Sequence, residues 1–521
     1  MAATPASRVT AHAEPPIPVL TGWRLALAAF ALALTNFVVV LDITIANVSV
    51  PHIAGGLAVS PTQGTWVITS YAVAEAITVP LSGWLAARFG TVRWLIISIA
   101  GFGLFSLLCG IAGTIELLIL FRILQGLSGG PLMPLTQAML TRIFPPDKIP
   151  MAMGLWAVTT ILAPIVGPIL GGTISDTLSW PWIFFINVPV VIGCLVVFFR
   201  YLSPFESVIE QRRIDRVGLV LLILWVGAFQ LMLDTGREHD WFGSPMIVSL
   251  AIVAAIAFIA FIIWEWFDED PVVDLQLLRD RTLAVSIIAI SIGYGSFFGS
   301  VVLVPLWLQA VLGYTASQAG WATAALGVLA VMVAPVAAAL LNRVDARLTI
   351  CLGMVWMGLM TLVRLDWNTG STMWDLVWPM LLQGLGMPFF FVGLTTLGII
   401  NVTPERTAAA AGIMSFMRTV SGAIATAVAT TLWANFASTS RTGLAPLVGD
   451  GEATLAGMQA GGMTSEQART ALSNLAEAQA STIAMLDIFM VTTAMFMLAA
   501  AIVWLIPRPT GALSPGGGMG H

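Results

Sequence analysis

The stretch GLWAVTTILAPIVGPILGG, Gly154 to Gly172, places glycine and proline at short intervals within one apolar run. Small residues let membrane helices approach closely, so this stretch is predicted to pack helices together and to seal or hinge one face of a helical bundle. The positions concerned are Gly154, Pro164, Gly167, Pro168, Gly171 and Gly172. Around it, the chain alternates runs of about 20 apolar residues, enough to cross a hydrocarbon core of about 30 Å, with short polar breaks.

Composition narrows the class of protein. Of the 521 residues, 58% are hydrophobic and 9% are charged, against roughly 25% charged residues in an ordinary soluble domain. The net charge is −5 and Lys148 is the one lysine, so nucleic-acid binding is not expected. Cys109, Cys194 and Cys351 all lie in apolar runs, where thiols pack as small hydrophobes. Neither a nucleophile cluster, a metal site nor a phosphate-binding loop is recognisable, so we expect an all-α membrane protein that is not an enzyme and has no cofactor.

Fourteen apolar runs are predicted to span the membrane. They begin near Trp23, Trp66, Leu95, Leu117, Met151, Trp182, Val217, Pro245, Leu283, Ala319, Thr349, Trp378, Ala409 and Met485. Basic residues resist translocation, and in this topology most of the 22 lysines and arginines lie on one side. Those on the other side are Arg237, Arg364, Arg441 and Arg469. Both termini are therefore predicted to be cytoplasmic.

An internal repeat divides the chain into two parallel halves. At an offset of 255 residues, Gln63 recurs as Gln318, Trp66 as Trp321 and Arg88 as Arg343. Positions that recur at 258 are Gln125 and Gly154, as Gln383 and Gly412. Parallel repeats of this kind build major facilitator transporters. The sequence predicts two six-helix bundles, 23–201 and 283–506, joined by a linker, 202–282, with two additional transmembrane helices.

The remaining predicted segments are two cytoplasmic tails, 1–22 and 507–521, and a long outer loop, 435–484. Thr464 and Gln467 in this loop form a capping-box pattern, which predicts the start of a helix that runs toward Ala480. Such a loop offers a surface for a periplasmic adaptor protein, and a solvated hairpin is the alternative.

Several motifs resemble those of the fourteen-span drug:proton antiporters of the major facilitator superfamily, and in particular the EmrB-type group of multidrug exporters. The stretches concerned are LDITIANVSVP (41–51), FRILQGLSGG (121–130), APIVGPILGG (163–172), WIFFINVP (182–189) and LQAVLGYTASQAG (308–320). The resemblance covers nearly the whole chain. It implies a proton-driven exporter in the inner membrane, a periplasmic adaptor of the EmrA type and an outer-membrane channel of the TolC type.

The loop after the second span departs from the family pattern. Arg88, Gly90 and Arg93 keep the residues that the resemblance links to gating, but Ala87 stands where many relatives carry aspartate. The usual aspartate-based latch of this loop is therefore in doubt.

Ionisable groups inside membrane spans are costly and are functional candidates for that reason. Asp42, Glu75 and Arg122 are the candidates for proton coupling, Asp42 and Arg122 by the resemblance and Glu75 by its depth alone. The alternatives are a cap at the outer helix end for Asp42, a hydrogen bond to a neighbouring helix for Glu75 and bracing of backbone carbonyls for Arg122. The repeat places either Ser296 or Phe297 opposite Asp42, so proton handling is predicted to be confined to the first half.

The substrate cavity has fewer sequence markers. Arg418, inside a predicted span, either attracts acidic substrates, pairs with a carboxylate across the cavity or bonds to carbonyls. Met133, Met387 and Phe390 are candidates for an adaptable apolar wall, with ordinary helix packing as the alternative. The predicted function is proton-driven export of hydrophobic toxic compounds by alternating access. The alternative on the same fold is a dedicated exporter of a lipid, fatty acid or siderophore.

Overall fold

The computed structural model describes residues 20–145, 148–209, 213, 215–341, 343–444 and 451–508, and these ranges are built from helices without strands. Most of the two predicted tails lies outside them. The first half contains α1 (Gly22–Gly56), α2 (Pro61–Thr78), α3 (Ser82–Phe89), α4 (Thr91–Gly110), α5 (Ile115–Gly129), α6 (Leu132–Ile143), α7 (Ile149–Thr177), α8 (Trp182–Phe185) and α9 (Asn187–Val197). The inserted pair is α10 (Arg216–Thr235) and α11 (Pro245–Phe267). The second half contains α12 (Arg281–Ala310), α13 (Ala316–Leu341), α14 (Ala346–Val363), α15 (Met373–Gln383), α16 (Met387–Ile399), α17 (Thr407–Leu444), α18 (Gly451–Ala460) and α19 (Ser465–Val503).

The predicted all-α membrane architecture is confirmed. Within the described ranges, twelve helical segments are long and apolar enough to cross a membrane, and the bent helix α7 makes a thirteenth. The remaining predicted span, near Trp66, corresponds to α2, which is followed by α3 after a break at Pro80. Thr69, Ser70 and Glu75 are among the 18 residues of helix α2 and lower its hydropathy.

Glycine and proline set matching breaks in the two halves. The helix is interrupted between α5 and α6 at Gly130 and Pro131, and between α15 and α16 just before Pro388. Proline lacks an N–H group and clashes with the preceding helical turn, so each break starts a new helix. The two breaks lie at equivalent positions of the internal repeat, since Gly130 and Pro388 are 258 residues apart.

The two halves contact each other along two lines. Helix α7 of the first half packs along α13, and α3 packs on the start of α17. We call the end of the bundle that carries Arg88, Arg93, Arg343 and Arg406 the basic end. At this end the Cα of Gly83 on α3 lies directly against the backbone of Ala409 on α17, so the α3 and α17 flank is closed there. The inserted pair packs internally, and α10 contacts both α2 and α17.

The described residues of the predicted outer loop, 435–444 and 451–484, are mostly helical, and the predicted helix that starts at Thr464 is longer than expected. Helix α17 has 38 residues and α19 has 39, and at 1.5 Å per residue each exceeds the roughly 30 Å of a bilayer core. The two helices therefore project together from the end opposite the basic end, where Arg441 pairs with Glu477 at 3.5 Å. The predicted capping box of Thr464 and Gln467 is present and starts α19, which continues without interruption beyond Ala480.

Candidate functional site

Asp42 lies in the middle of the first helix. Helix α1 has 35 residues, more than a span requires, and it packs against α7, α2, α6 and α9. The Asp42 residue is 2% exposed. The alternative in which Asp42 caps the outer helix end is therefore wrong, because α1 begins earlier and ends later than a 20-residue span would.

Arg122 on α5 forms a buried ion pair with Asp42. Its Nη1 donates to Asp42 Oδ2 at 2.5 Å, and the two side chains are 0% and 1% exposed. Nε donates to the backbone carbonyl of Val67 at 3.1 Å, so the carbonyl bonding considered for this arginine accompanies the ion pair. The guanidinium carbon lies 4.2 Å from the centroid of the Tyr71 ring, and this cation–π contact adds attraction in a dry site.

Two amides complete the partners of the Asp42 carboxylate. Gln125 Nε2 and Asn187 Nδ2 donate to Oδ1 at 3.1 and 2.7 Å. Gln125 Oε1 also accepts from Arg122 Nη1 at 2.9 Å, and Asn187 donates to Ser106 Oγ at 3.0 Å. The sequence analysis did not assign either amide a role, although both lie within the quoted motifs FRILQGLSGG and WIFFINVP. Helices α1, α5 and α9 thus converge on a single carboxylate.

The cluster around the Asp42–Arg122 ion pair also contains hydrogen-bonding atoms that have no partner among the described residues. Arg122 Nη2, Asn187 Oδ1 and the Tyr71 hydroxyl are buried without a hydrogen-bond partner among the described residues. Separating two buried charges or neutralising one of them leaves the other uncompensated in a medium of low dielectric constant, which is costly. A proton that binds Asp42 would therefore weaken the contact between α1 and α5.

Glu75 lies on α2, one turn after Tyr71, and is 3% exposed. The structure records no hydrogen bond or ion pair for its carboxylate within the described part of the chain. Its carboxylate interacts electrostatically with Asp42 and Arg122, and Tyr294 of α12 interacts in the same way with Glu75 and Arg418. Glu75 is thus within electrostatic range of the ion pair of the first half and of Tyr294 in the second half.

Arg418 reaches across the boundary between the halves. Its guanidinium carbon, on α17, lies 4.5 Å from the centroid of the Trp156 ring on α7. Nη2 donates to Ser415 Oγ at 2.8 Å, whereas Nη1 is buried without a partner among the described residues. A cation–π contact between desolvated groups is worth about 2 kcal/mol, so this arginine holds α17 against α7.

The apolar candidates for the cavity wall are packed. Met387 and Phe390 are 1% and 0% exposed, and Phe390 contacts Phe391 and the Cα face of Gly293 inside the second bundle. Met133 is half-buried and packs against the core of the first bundle. A substrate role for these three residues stays a prediction.

The loop between α3 and α4 is held by Glu206, a residue that the sequence analysis did not select. Its carboxylate accepts from the backbone N–H groups of Val92 and Arg93 at 2.9 and 3.0 Å, at the N-terminus of α4. Gly90 has a φ of 92°, which favours glycine, and its Cα lies against the same carboxylate. Arg88 packs over the Trp84 ring at 5.6 Å. Despite Ala87, the loop therefore has an acidic anchor, supplied by the segment after α9.

The small residues of α7 serve two contacts. Gly154 faces Ala334 and Ala338 of α13, whereas Gly167 and Gly171 lie against Thr44 and Ile45 of α1. Helix α7 bends by 42° between Ile149–Pro164 and Val166–Ser175. Pro164 and Pro168 lie within the helix at and just after this bend, and Gly172 faces open space. A hinge in α7 is consistent with this shape, and gating by these residues stays a prediction.

A second buried guanidinium lies in the second half. Arg364, which the topology places on the outer side, directly follows α14 and is 1% exposed. Its Nη1 donates to Ser300 Oγ at 3.0 Å and its Nη2 to Gln383 Oε1, while Nε has no partner among the described residues. Gln383 is the repeat counterpart of Gln125, so each half buries an arginine against a glutamine at the equivalent position. Arg364 follows a strongly apolar helix by one residue, which is why hydropathy assigned it to the loop.

The family follows from comparison with known proteins. Residues 32–426 match the sequence profile of the Major Facilitator Superfamily. The chain is 40% identical over 504 residues to the multidrug export protein EmrB of Escherichia coli (strain K12), covering 96% of this chain and 98% of that protein. The chain belongs to the major facilitator superfamily. Superfamily relatives also include the fatty acid resistance protein FarB of Neisseria gonorrhoeae, 39% identical, with 97% and 99% of the two chains covered.

Solved structures show the same superfamily fold. A bacterial homolog of the human lysosomal transporter Spinster, inward-facing and unoccupied, is 15% identical with a TM-score of 0.54, covering 94% of this chain and 100% of that one. The human organic anion transporter MFSD10 (TETRAN) is 13% identical with a TM-score of 0.54, covering 93% and 100%. The superfamily consists of transporters rather than enzymes, and the many apolar helices make this chain a multi-pass membrane protein.

Proposed function

We propose that this protein is a proton-driven antiporter that exports hydrophobic toxic compounds by alternating access between its two halves. The observation that carries the proposal is the buried ion pair of Asp42 and Arg122. Such a pair is retained at a cost in desolvation, which suits a site whose charge changes during function. Similarity to EmrB, a multidrug export protein, supports the substrate class.

The coupling step follows from the contacts of Asp42. When its carboxylate is ionised, it binds Arg122, Gln125 and Asn187 and joins α1, α5 and α9. When the carboxyl group takes a proton, the charge attraction to Arg122 is lost and α5 is free to shift relative to α1. Glu75, without a fixed partner, is the second proton carrier in this scheme. A substrate that displaces the proton restores the ion pair.

The test is gradient-driven drug movement in proteoliposomes with an imposed pH gradient. Movement is expected in the natural protein and its loss in Asp42→Asn. Glu116→Gln is the matched control, because Glu116 is an exposed carboxylate in the first turn of α5. Movement that survives Asp42→Asn would assign coupling to Glu75 instead, and absence of gradient-driven movement for every drug would refute the antiporter.

Arg418 is proposed to contribute to the substrate cavity, with its unpartnered Nη1 available to an acidic group. Arg418→Gln is then expected to reduce the export of anionic drugs more than that of cationic dyes. An equal loss for both would leave Arg418 with only its contact to Trp156.

A dedicated exporter of a lipid, fatty acid or siderophore is the second candidate, and FarB, a fatty acid resistance protein, supports it. A substrate panel separates the two. Export restricted to one of these compounds, with no protection against cationic dyes, would favour the second candidate.

For location, we propose the bacterial inner membrane with both termini in the cytoplasm, as the inner part of a tripartite pump. The projecting parts of α17 and α19 are the proposed contact for an EmrA-type adaptor, which would lead to a TolC-type channel. A phosphatase fused after residue 450 is expected to be active in the periplasm. Activity only of a cytoplasmic reporter at this position would overturn the orientation.

A further inference from the structure

An apolar groove lies between the inserted pair and the second half. Its volume is about 700 Å³, and its walls come from α10, α11, α12 and α17. Large side chains that define it are Trp225, Phe229, Phe258, Ile288, Phe416 and Val420. Ligand sites commonly have volumes of about 300 to 1,000 Å³, so the groove is large enough for a bound molecule.

The groove is elongated along the membrane normal. Phe242, between α10 and α11, lines it at the end opposite the basic end, and Leu275 and Leu278 line it near the basic end. Its side-chain lining is hydrocarbon, aromatic or thioether, and its one polar group is the indole N–H of Trp225, which is buried without a partner among the described residues. A compound with several polar groups would lose most of its hydrogen bonds to water there without replacement. The occupant must therefore be a long, apolar chain over most of its length.

A positive charge lies at the basic end of this groove. Ala284 and Ile288 line the groove, and Arg281 precedes them on the same face of α12, because residues three and seven positions apart share a face. Arg281 is exposed. A basic side chain at the membrane surface attracts anionic lipid head groups.

The groove is also next to the bilayer rather than to water. Helix α11 alternates groove-lining residues such as Phe258 with residues exposed on its other face, among them Ile252, Ile256 and Ile259. We propose that the groove binds one acyl chain of an anionic bilayer phospholipid, whose phosphate lies beside Arg281. This proposal holds whatever compound the protein exports, because the groove lies between the inserted pair and the second half and reaches the first half at Pro80.

The bound chain would support the helix that joins the halves. Phe416, Met417 and Val420 of α17 line the groove, and Arg418 on the same turn contacts Trp156 of α7. Helix α10 contacts α17 and also α2, which carries Glu75. A bound chain therefore adds to the contacts that already join the inserted pair to α17, among them the ring contact of Trp225 with Phe416 at 5.5 Å.

The test uses the full chain reconstituted with phosphatidylglycerol that carries a photoreactive diazirine in one acyl chain. After irradiation, adducts are located by mass spectrometry. They are expected at Phe258, Phe416 and Met417, with at least tenfold less adduct at Ile256 on the outer face of α11. Ile288→Trp fills the groove from a position that is 50% exposed, so the fold tolerates it, and it is expected to abolish the groove adducts. Ile256→Trp is the matched control and should leave them unchanged.

Two further outcomes decide the ligand. Arg281→Gln is expected to lower the adducts several-fold for phosphatidylglycerol and to leave those of a diazirine-labelled diacylglycerol unchanged. Equal labelling of both faces of α11, unaffected by Ile288→Trp, would reduce the groove to ordinary lipid contact and overturn the proposal. Loss of the lipid adducts on addition of a hydrophobic dye, with the dye bound in their place, would overturn it in favour of a substrate.

Discussion

Charge neutralisation at the Asp42 and Arg122 pair has a calculable effect on stability. Removal of one partner of a buried ion pair costs about 3 to 5 kcal/mol, because the remaining charge is left unpaired. Both side chains are at most 1% exposed, so the full penalty applies to Asp42→Asn and to Arg122→Gln. The double variant leaves no unpaired charge and loses mainly neutral hydrogen bonds, at about 1 kcal/mol each. We therefore expect the double variant to be at least about 3 kcal/mol more stable than the sum of the single losses predicts.

The assay is reversible unfolding of the purified protein in mixed detergent micelles, as a double-mutant cycle. The control cycle uses Arg441→Gln and Glu477→Gln, an exposed pair with N···O of 3.5 Å and side chains 53% and 64% exposed. Exposed pairs contribute about 0 to 1 kcal/mol, so a small coupling energy is expected there. Additivity of the buried pair within about 0.5 kcal/mol, the ordinary result for independent sites, would refute the reasoning.

Three further predictions concern other parts of the molecule. Gly83→Val introduces side-chain atoms against the Ala409 backbone, and such overpacking costs about 1 to 3 kcal/mol. We expect the basic end to open about tenfold more often, which would be measured as faster labelling of a cysteine placed there. Unchanged labelling would contradict this contact. Arg364→Gln leaves only neutral groups such as Gln383 unpaired, so it should lower the free energy of unfolding by about 1 to 3 kcal/mol, less than Arg122→Gln does. An equal or larger loss would mean that Arg364 pairs with a carboxylate. Thr464→Ala removes the N-cap of α19, at about 1 kcal/mol, and should speed hydrogen exchange in its first turn alone; a uniform change along the helix would argue against a local cap.

The sequence identified the charged members of the site because charges are rare in apolar runs. Asp42, Glu75 and Arg122 were all selected on this ground, and all three are buried. The alternative that placed Asp42 at the outer helix end was wrong, and it arose because a span of about 20 residues counted from Trp23 ends near it. Helix α1 continues to Gly56, and neither its length nor its neighbours can be read from hydropathy.

Neutral and linker residues could not be predicted in the same way. Gln125 and Asn187 cause little change in hydropathy, and their role depends on a fold that brings them to Asp42 from 83 and 145 residues away in sequence. Glu206 lies in a polar linker, where a carboxylate is ordinary. Its function as the cap of α4 exists only because the chain after α9 returns to the basic end.

The repeat predicted the helices of the second half correctly, but it did not predict which residues carry charge there. Met380 lies 258 residues after Arg122, so the repeat gives no cation for the second half. The structure supplies one from a different helix: Arg364, 255 residues after Cys109, reaches Gln383, just as the Cys109 thiol reaches Gln125. The two buried arginines come from helices that are not equivalent in the two halves. An alignment of the halves therefore does not pair Arg122 with Arg364.

The two buried clusters are therefore alike in position and different in charge. Ser300, 258 residues after Asp42, accepts a hydrogen bond from Arg364, whereas Asp42 supplies a carboxylate to Arg122. A hydroxyl and an amide keep the same charge at any physiological pH, so the Arg364 cluster keeps its geometry when a proton arrives. The carboxylate of Asp42 does not, because its bond to the guanidinium depends on its charge. In the proposed antiporter, a proton on Asp42 would thus alter helix contacts in the first half, whereas the Arg364 cluster of the second half would keep its contacts.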